Sequence, residues 1–304
     1  MSLIAFTLIG LSAFSHASWN FASKRRSPSL AFFWIAVVAA AIFVSPLLVI
    51  HRHAIPLLPG SVWLLMLATG TAQLIYFFGL TRAYRSGDIS LAYPLARAMP
   101  VLMIALISIL LGRGGQIGGL GLLGMGLITV GCIILPMQTF QQMHWRNYVD
   151  VVTLMALVAA IGTTAYTLID DQVQRQLRET PALMLDAQDA TLLFISLQTI
   201  STAVMLGLGT LLLKSERRLL PGMLRNRSLL LMGMLTGIVV MGTYGLALAA
   251  MAYVTNVSYV AAFRQLSIPI GALLGFTIAH EPRYRPKLWG IGIVTLGLVF
   301  VGMG

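Results

Sequence analysis

Ten runs dominated by apolar residues, most of them about twenty residues long, leave this chain few ways to fold. They cover 2–21, 30–50, 61–80, 89–111, 117–136, 149–169, 191–213, 228–250, 256–279 and 288–303. About 20 apolar residues carry a helix across the hydrocarbon core of a bilayer. The last run is short, but it opens beside Lys287 and Trp289, residue types that anchor at the membrane interface. The connections are mostly short, so neighbouring helices are antiparallel. The alternation of a transmembrane β-barrel is missing. The sequence predicts an all-α integral membrane protein with ten transmembrane helices.

Composition agrees: 58% of residues are hydrophobic and 10% charged, against roughly 25% charged in soluble domains. A formal charge of +11 would by itself suggest nucleic acid. The distribution argues for the lipid bilayer as partner instead, and for no nucleic acid. Fourteen lysines and arginines fall in odd-numbered connections, among them Lys24, Arg25, Arg26, Lys214, Arg217 and Arg218. Four, Arg52, Arg113, Arg175 and Arg178, fall in even ones. By the positive-inside rule the odd connections are cytoplasmic and both termini lie outside. No basic segment precedes the first run and no small-residue cleavage site precedes Lys24, so that run is expected to be retained. Cys132 is the single cysteine and cannot form an intrachain disulfide.

The chain repeats itself. "LLGMGLITVGCIIL" (122–135) aligns without a gap to "LWGIGIVTLGLVFV" (288–301), matching Gly124 to Gly290, Gly126 to Gly292, Thr129 to Thr295 and Gly131 to Gly297. "ARAMPVLMIALISIL" (96–110) resembles "FRQLSIPIGALLGFT" (263–277), with Arg97 opposite Arg264 and Pro100 near Pro269. More weakly, Trp19-Asn20 falls opposite Tyr166-Thr167. Two halves follow, 1–136 and 149–304, joined by a linker over 137–148. Five spans per half is odd, so the second half enters the membrane in the opposite sense. Such inverted repeats place a binding site near the midplane between the halves. The glycines of 119–126 and 290–297 read as close helix packing.

Two five-helix halves, "HASWNFASK" closing the first run and "AYTLID" (165–170) at the matching place in the sixth, resemble the EamA-type members of the drug/metabolite transporter superfamily. The resemblance covers nearly the whole chain, through soft patterns of glycine, proline and aromatic residues. It implies a ten-helix carrier in a bacterial cytoplasmic membrane, of a kind that often exports amino acids or other small metabolites. It also implies termini inside, against the charge count. The related four-helix multidrug carriers use a glutamate in the first span; this first span has none.

Arg97 and Arg264 are the two cations inside spans. A charge at a span centre costs roughly 2.5–3.5 kcal/mol on insertion scales and marks function by default, although a long stem can snorkel to the interface. The planar guanidinium fork matches a carboxylate. Asp88, Asp170, Asp171 and Glu281 are all read at span ends, so the counter-charge is expected from substrate or solvent anions. His16 is the one histidine well inside a span. It shares a face with Trp19, Asn20 and Ser23 at helical spacing, as hydrogen-bonded structure or as a carrier of protons, the coupling ion considered. Tyr76, Tyr93, Tyr244 and Tyr259 complete the candidate substrate-binding set, as cavity lining or as packing. Pro94, Pro100 and Pro269 are candidate kinks, each freeing a carbonyl. Spans one, three, four, six, eight and nine are expected to line a central cavity, with five and ten peripheral.

The leading expectation is a secondary transporter of a small amphipathic metabolite, an amino acid or related carboxylate, working by alternating access without a cofactor. A pump is disfavoured because the P-loop pattern is missing. A membrane enzyme would need clustered acids or histidines; "HRH" (51–53) is a lone pair, and no metal site is expected. A non-transporting subunit or receptor remains the alternative.

Overall fold

The computed structural model describes residues 2–23, 29–86, 89–135, 137–142, 151–278, 280 and 282–304, and among these the side chains of 18–23, 86, 89–95 and 142 are not described. The described residues are almost entirely helical. The principal helices are α1 (Leu3–Ser23), α2 (Leu30–Ile50), α3 (Gly60–Ser86), α4 (Ile89–Ser108), α5 (Gly119–Ile134), α6 (Val151–Glu179), α7 (Ala187–Leu212) and α8 (Arg227–Met251). Then come α9 (Val257–Thr277), a rod in two pieces, and α10 (Arg285–Met303). Among the described residues eight helical stretches are long and apolar enough to cross a membrane, and Leu3–Ala17 and Gly119–Ile134 are shorter apolar helices. The chain is a multi-pass integral membrane protein.

Local chemistry sets several helix starts. Ser29, Asp186, Asn226 and Asn256 are N-caps whose side-chain oxygens accept backbone N–H groups of α2, α7, α8 and α9. Such caps satisfy N–H groups that the first turn of a helix leaves without intrahelical partners.

Two elements depart from the sequence expectation. The sixth apolar run ends at Ile169, yet α6 continues to Glu179. Nothing from Asp170 onward breaks a helix until Thr180, which is extended (φ −90°, ψ 100°) ahead of Pro181, as a residue preceding proline prefers. Asp170 and Asp171, expected at a span end, therefore sit inside a helix and are fully buried. The second departure is α9, which stops at Phe263, tightens through a 3-10 turn at Arg264–Leu266 and resumes at Ser267. Pro269 lacks the N–H that would bond Gln265, and its ring crowds that carbonyl, so the turn tightens just upstream. By contrast α4 stays helical through Pro94 and Pro100, and then ends in a π turn over Ile109–Arg113, with Gly112 at φ +78°.

Helix α6 packs between α3 and α4, as α1 packs between α8 and the second piece of α9. Helix α2 packs on α7 and α8, α3 on α7, and α5 on α10. The α5–α10 contact depends on glycine. A methyl built on Gly124 would lie 2.5 Å from the carbonyl oxygen of Gly297, and one on Gly131 would lie 2.8 Å from that of Gly290. These pairings run the two helices antiparallel.

Polarity is inverted relative to a soluble protein. Ile42, Leu64, Leu110, Leu212 and Leu273 face outward, while Thr69, Gln73, Asp170, Asp171, Gln174, Gln198 and Gln265 are buried. That is the arrangement lipid demands, because polar groups in a span must find partners inside the bundle.

Candidate functional site

The buried polar groups converge where α9 breaks. Arg97 of α4 donates from Nε to Gln265 Oε1 at 3.1 Å and from Nη2 to the carbonyl of Arg264 at 3.1 Å. Gln265 returns a bond from Nε2 to the carbonyl of Arg97 at 3.3 Å. Arg97 Nη1 meets His16 Nε2 of α1; arginine is donor-only, so the imidazole accepts through its lone pair. Arg97 is thus tied to α1 and to the turn of α9. It is no snorkelling anchor.

Arg264 behaves differently. Its backbone carbonyl accepts from Arg97 and from Ser267 Oγ, which fixes the turn. Its guanidinium lies over the ring of Tyr244, with Cζ 5.2 Å from the centroid, a cation–π placement. Among the described residues it makes no hydrogen bond or ion pair, and the fork remains available.

Tyr244 of α8 links that cation to an acid. Its hydroxyl donates to Asp170 Oδ2 at 2.5 Å, and Thr69 Oγ1 of α3 donates to Asp170 Oδ1 at 2.5 Å. Tyr166 stands edge-on to Tyr244, with centroids 5.8 Å apart at 90°, and Tyr76 stands edge-on to Tyr166, 5.8 Å apart at 75°. The centre draws on α1, α3, α4, α6, α8 and α9. A hollow of about 520 Å³ opens elsewhere, on the apolar rim beside Phe6, Phe263 and Leu298; its apolar lining gives it no part in this centre.

Of the expected residues, His16, Tyr76, Arg97, Tyr244 and Arg264 come together here. Tyr259 does not: its hydroxyl accepts the backbone N–H of Gly118 at 3.1 Å, at the start of α5. Pro100 is buried in α4 and Pro269 follows the α9 turn. The side chains of Trp19, Asn20, Tyr93 and Pro94 lie outside the described residues, as do Asp88 and Glu281. Sequence reasoning missed Asp170, Thr69, Gln265 and Tyr166. The expectation that no acid lies deep in a span is corrected, since Asp170 is enclosed nine residues before the end of α6. The signal was available: "AYTLIDDQVQRQLRE" (165–179) contains no glycine or proline to stop the helix.

A second polar group lies towards the end of α6. Asp171 Oδ2 accepts from Arg113 Nη1 at 3.2 Å and from Arg175 Nε at 2.9 Å, and Arg113 Nη2 reaches Gln172 Oε1 at 2.8 Å. On the opposite face Arg85 Nη1 lies 2.6 Å from Glu216 Oε1, a nearly buried carboxylate that also accepts the N–H of Ala31. No group of three or more His, Cys, Asp or Glu that could hold a metal occurs among the described residues.

Residues 3–137 match the EamA-like transporter family. No curated protein matches the chain. A solved crystal structure aligns over 99% of this chain and 96% of its own, with a TM-score of 0.69 at 15% identity. At that identity the likeness is one of fold.

Proposed function

We propose, from the match of residues 3–137 to the EamA-like transporter family, that the chain is a secondary carrier for a small amphipathic metabolite. The substrate is an amino acid or related carboxylate, exported across a bacterial cytoplasmic membrane by alternating access. Arg264 is the group that takes the carboxylate, and Arg97 holds the turn that presents it. One observation carries this reading: a guanidinium inside the bundle, beside a helix break, with its hydrogen-bonding fork unspent. Arg264 is half-buried; a cation held inside a span without a fixed partner is costly, and a carboxylate matches its geometry.

Ten spans in two inverted halves, 1–136 and 149–304 around the linker 137–148, complete the proposal, with α1 and α5 crossing beside the eight longer spans. Its support is the packing. Shifting each helix number by five turns α3–α6 into α8–α1, α4–α6 into α9–α1 and α2–α8 into α7–α3, all of which are contacts in the bundle. Likewise the Gly124–Gly297 contact maps onto Gly290–Gly131 at the repeat offset of 166 residues. Antiparallel equivalent helices are what a twofold axis in the membrane plane produces. By the charge distribution the odd connections face the cytoplasm; protons are the proposed driving ion.

The test is flux in proteoliposomes at matched protein content. Arg264→Lys keeps the charge and loses the fork, so uptake of labelled carboxylates should fall at least tenfold. Arg264→Met should lower it further. Wild-type rates in Arg264→Lys would defeat the assignment.

A further inference from the structure

Asp170 is a fully buried carboxyl whose two hydrogen-bond partners, Thr69 and Tyr244, are neutral hydroxyls. Among the described residues none of the ion pairs includes it, so no cation stands within 4.0 Å. A carboxylate offers about four lone-pair positions, and here two are taken. A buried carboxyl whose partners are neutral hydroxyls is expensive to ionise, and in a membrane span an ionisable group marks a pathway or a site.

Arg264 is the complementary case, a cation with an unspent fork. Tyr244 separates the two groups, holding the carboxylate on its hydroxyl and the guanidinium over its ring face. They do not collapse onto each other because each is fixed from behind. Arg264 is pinned through its backbone by Arg97 and Ser267, and Asp170 by hydroxyls from two different helices. An acid on the hydroxyl and a cation over the face of one ring form a template for a molecule that carries both complementary groups.

We propose that Asp170 is the ammonium-recognising residue of this site, so that the pair Asp170 and Arg264 selects a zwitterion over a simple carboxylate. The inference rests on the reading of Arg264 given above and adds a second pole to it. The substrate's carboxylate takes the fork of Arg264 and its ammonium takes the open lone pairs of Asp170. The edge-to-face series Tyr244, Tyr166 and Tyr76 flanks the rest of the molecule. A site built to bond a polar group discriminates strongly against analogues that lack it, because its own buried groups are then left unpaired.

The experiment uses the full chain in proteoliposomes with three labelled probe pairs. These are L-leucine, L-glutamine and L-phenylalanine, each beside the acid lacking its amino group. The wild type is expected to favour at least one amino acid over its des-amino partner by tenfold or more. Asp170→Asn should lower flux of that amino acid at least tenfold while sparing the partner acid, so that the ratio approaches one. On the wild type alone, the N-acetyl derivative should compete at least tenfold less well than the free amino acid, which keeps the test independent of how Asp170→Asn folds. An unchanged ratio in Asp170→Asn, equal loss of both probes, equal competition by the N-acetyl derivative, or no flux of any of the three amino acids would each overturn the proposal. Failure of Arg264 itself has a different signature: the des-amino acids would then move at wild-type rates through Arg264→Met.

Discussion

At the scale of single residues, the two intramembrane arginines do different work, and their contacts say which is which. Arg97 bonds His16, Gln265 and the carbonyl of Arg264, whereas the Arg264 guanidinium touches one ring face. Hydrogen bonds to a charged group contribute about 1.5–3 kcal/mol each, a cation–π contact about 0.5–2 kcal/mol. Arg97→Met should therefore lower the melting temperature of the purified protein clearly more than Arg264→Met, while both impair flux. Equal melting temperatures would show that Arg97 does not hold the turn. Both arginines were legible in the sequence because a charge inside an apolar run is conspicuous. Asp170 was not, since it follows the run and reads as its polar end. Tyr259 shows the opposite error: span membership made it a candidate, but only packing reveals a phenol committed to Gly118.

At the scale of elements, hydropathy located the helices well and their ends less well. It follows apolar side chains, whereas a helix ends where backbone chemistry ends it. Thr180-Pro181 stops α6 ten residues beyond the apolar run, and Pro269 breaks α9 within one. The glycines make the same point. Gly124 and Gly126 look alike in "GLLGMG", yet Gly124 faces the backbone of α10 and Gly126 has open space around its Cα. Overpacking a tight contact costs about 1–3 kcal/mol. Replacing an unconstrained helical glycine by alanine gains about 0.5–1 kcal/mol. Gly124→Ala should accordingly lower thermal stability and Gly126→Ala should leave it unchanged or raise it. Indistinguishable melts would mean that the α5–α10 seam is looser than its geometry implies.

At the scale of the whole molecule, two ion pairs to buried acids join helices far apart in the sequence. Arg113 reaches from the end of α4 to Asp171 of α6 on the face of the even-numbered connections. Arg85 reaches from the end of α3 to Glu216, between α7 and α8, on the opposite face. Both acids are buried, 0% and 2% exposed, while Arg113 and Arg85 are 30% and 32% exposed, so these pairs are screened less than surface pairs but not fully shielded. Removing the acid leaves a partly exposed arginine that water can solvate, so the cost lies between the ~0.2–1 kcal/mol of a surface pair and the ~3–5 kcal/mol of a fully buried one. If the halves rock about the polar centre, each pair is a latch for its own face and must open when that face admits solute. Asp171→Asn should then free the even face and Glu216→Gln the odd one. The only native cysteine, Cys132, is buried, so a cysteine placed at Thr199, on the inner side of α7, can report accessibility against a quiet background. With a membrane-impermeant maleimide, Asp171→Asn should raise labelling from the even side at least tenfold and leave the odd side unchanged. Glu216→Gln should do the reverse. Equal labelling from both sides in either variant would mean that the pairs only stabilise the fold, and that closure of the carrier resides elsewhere in the bundle.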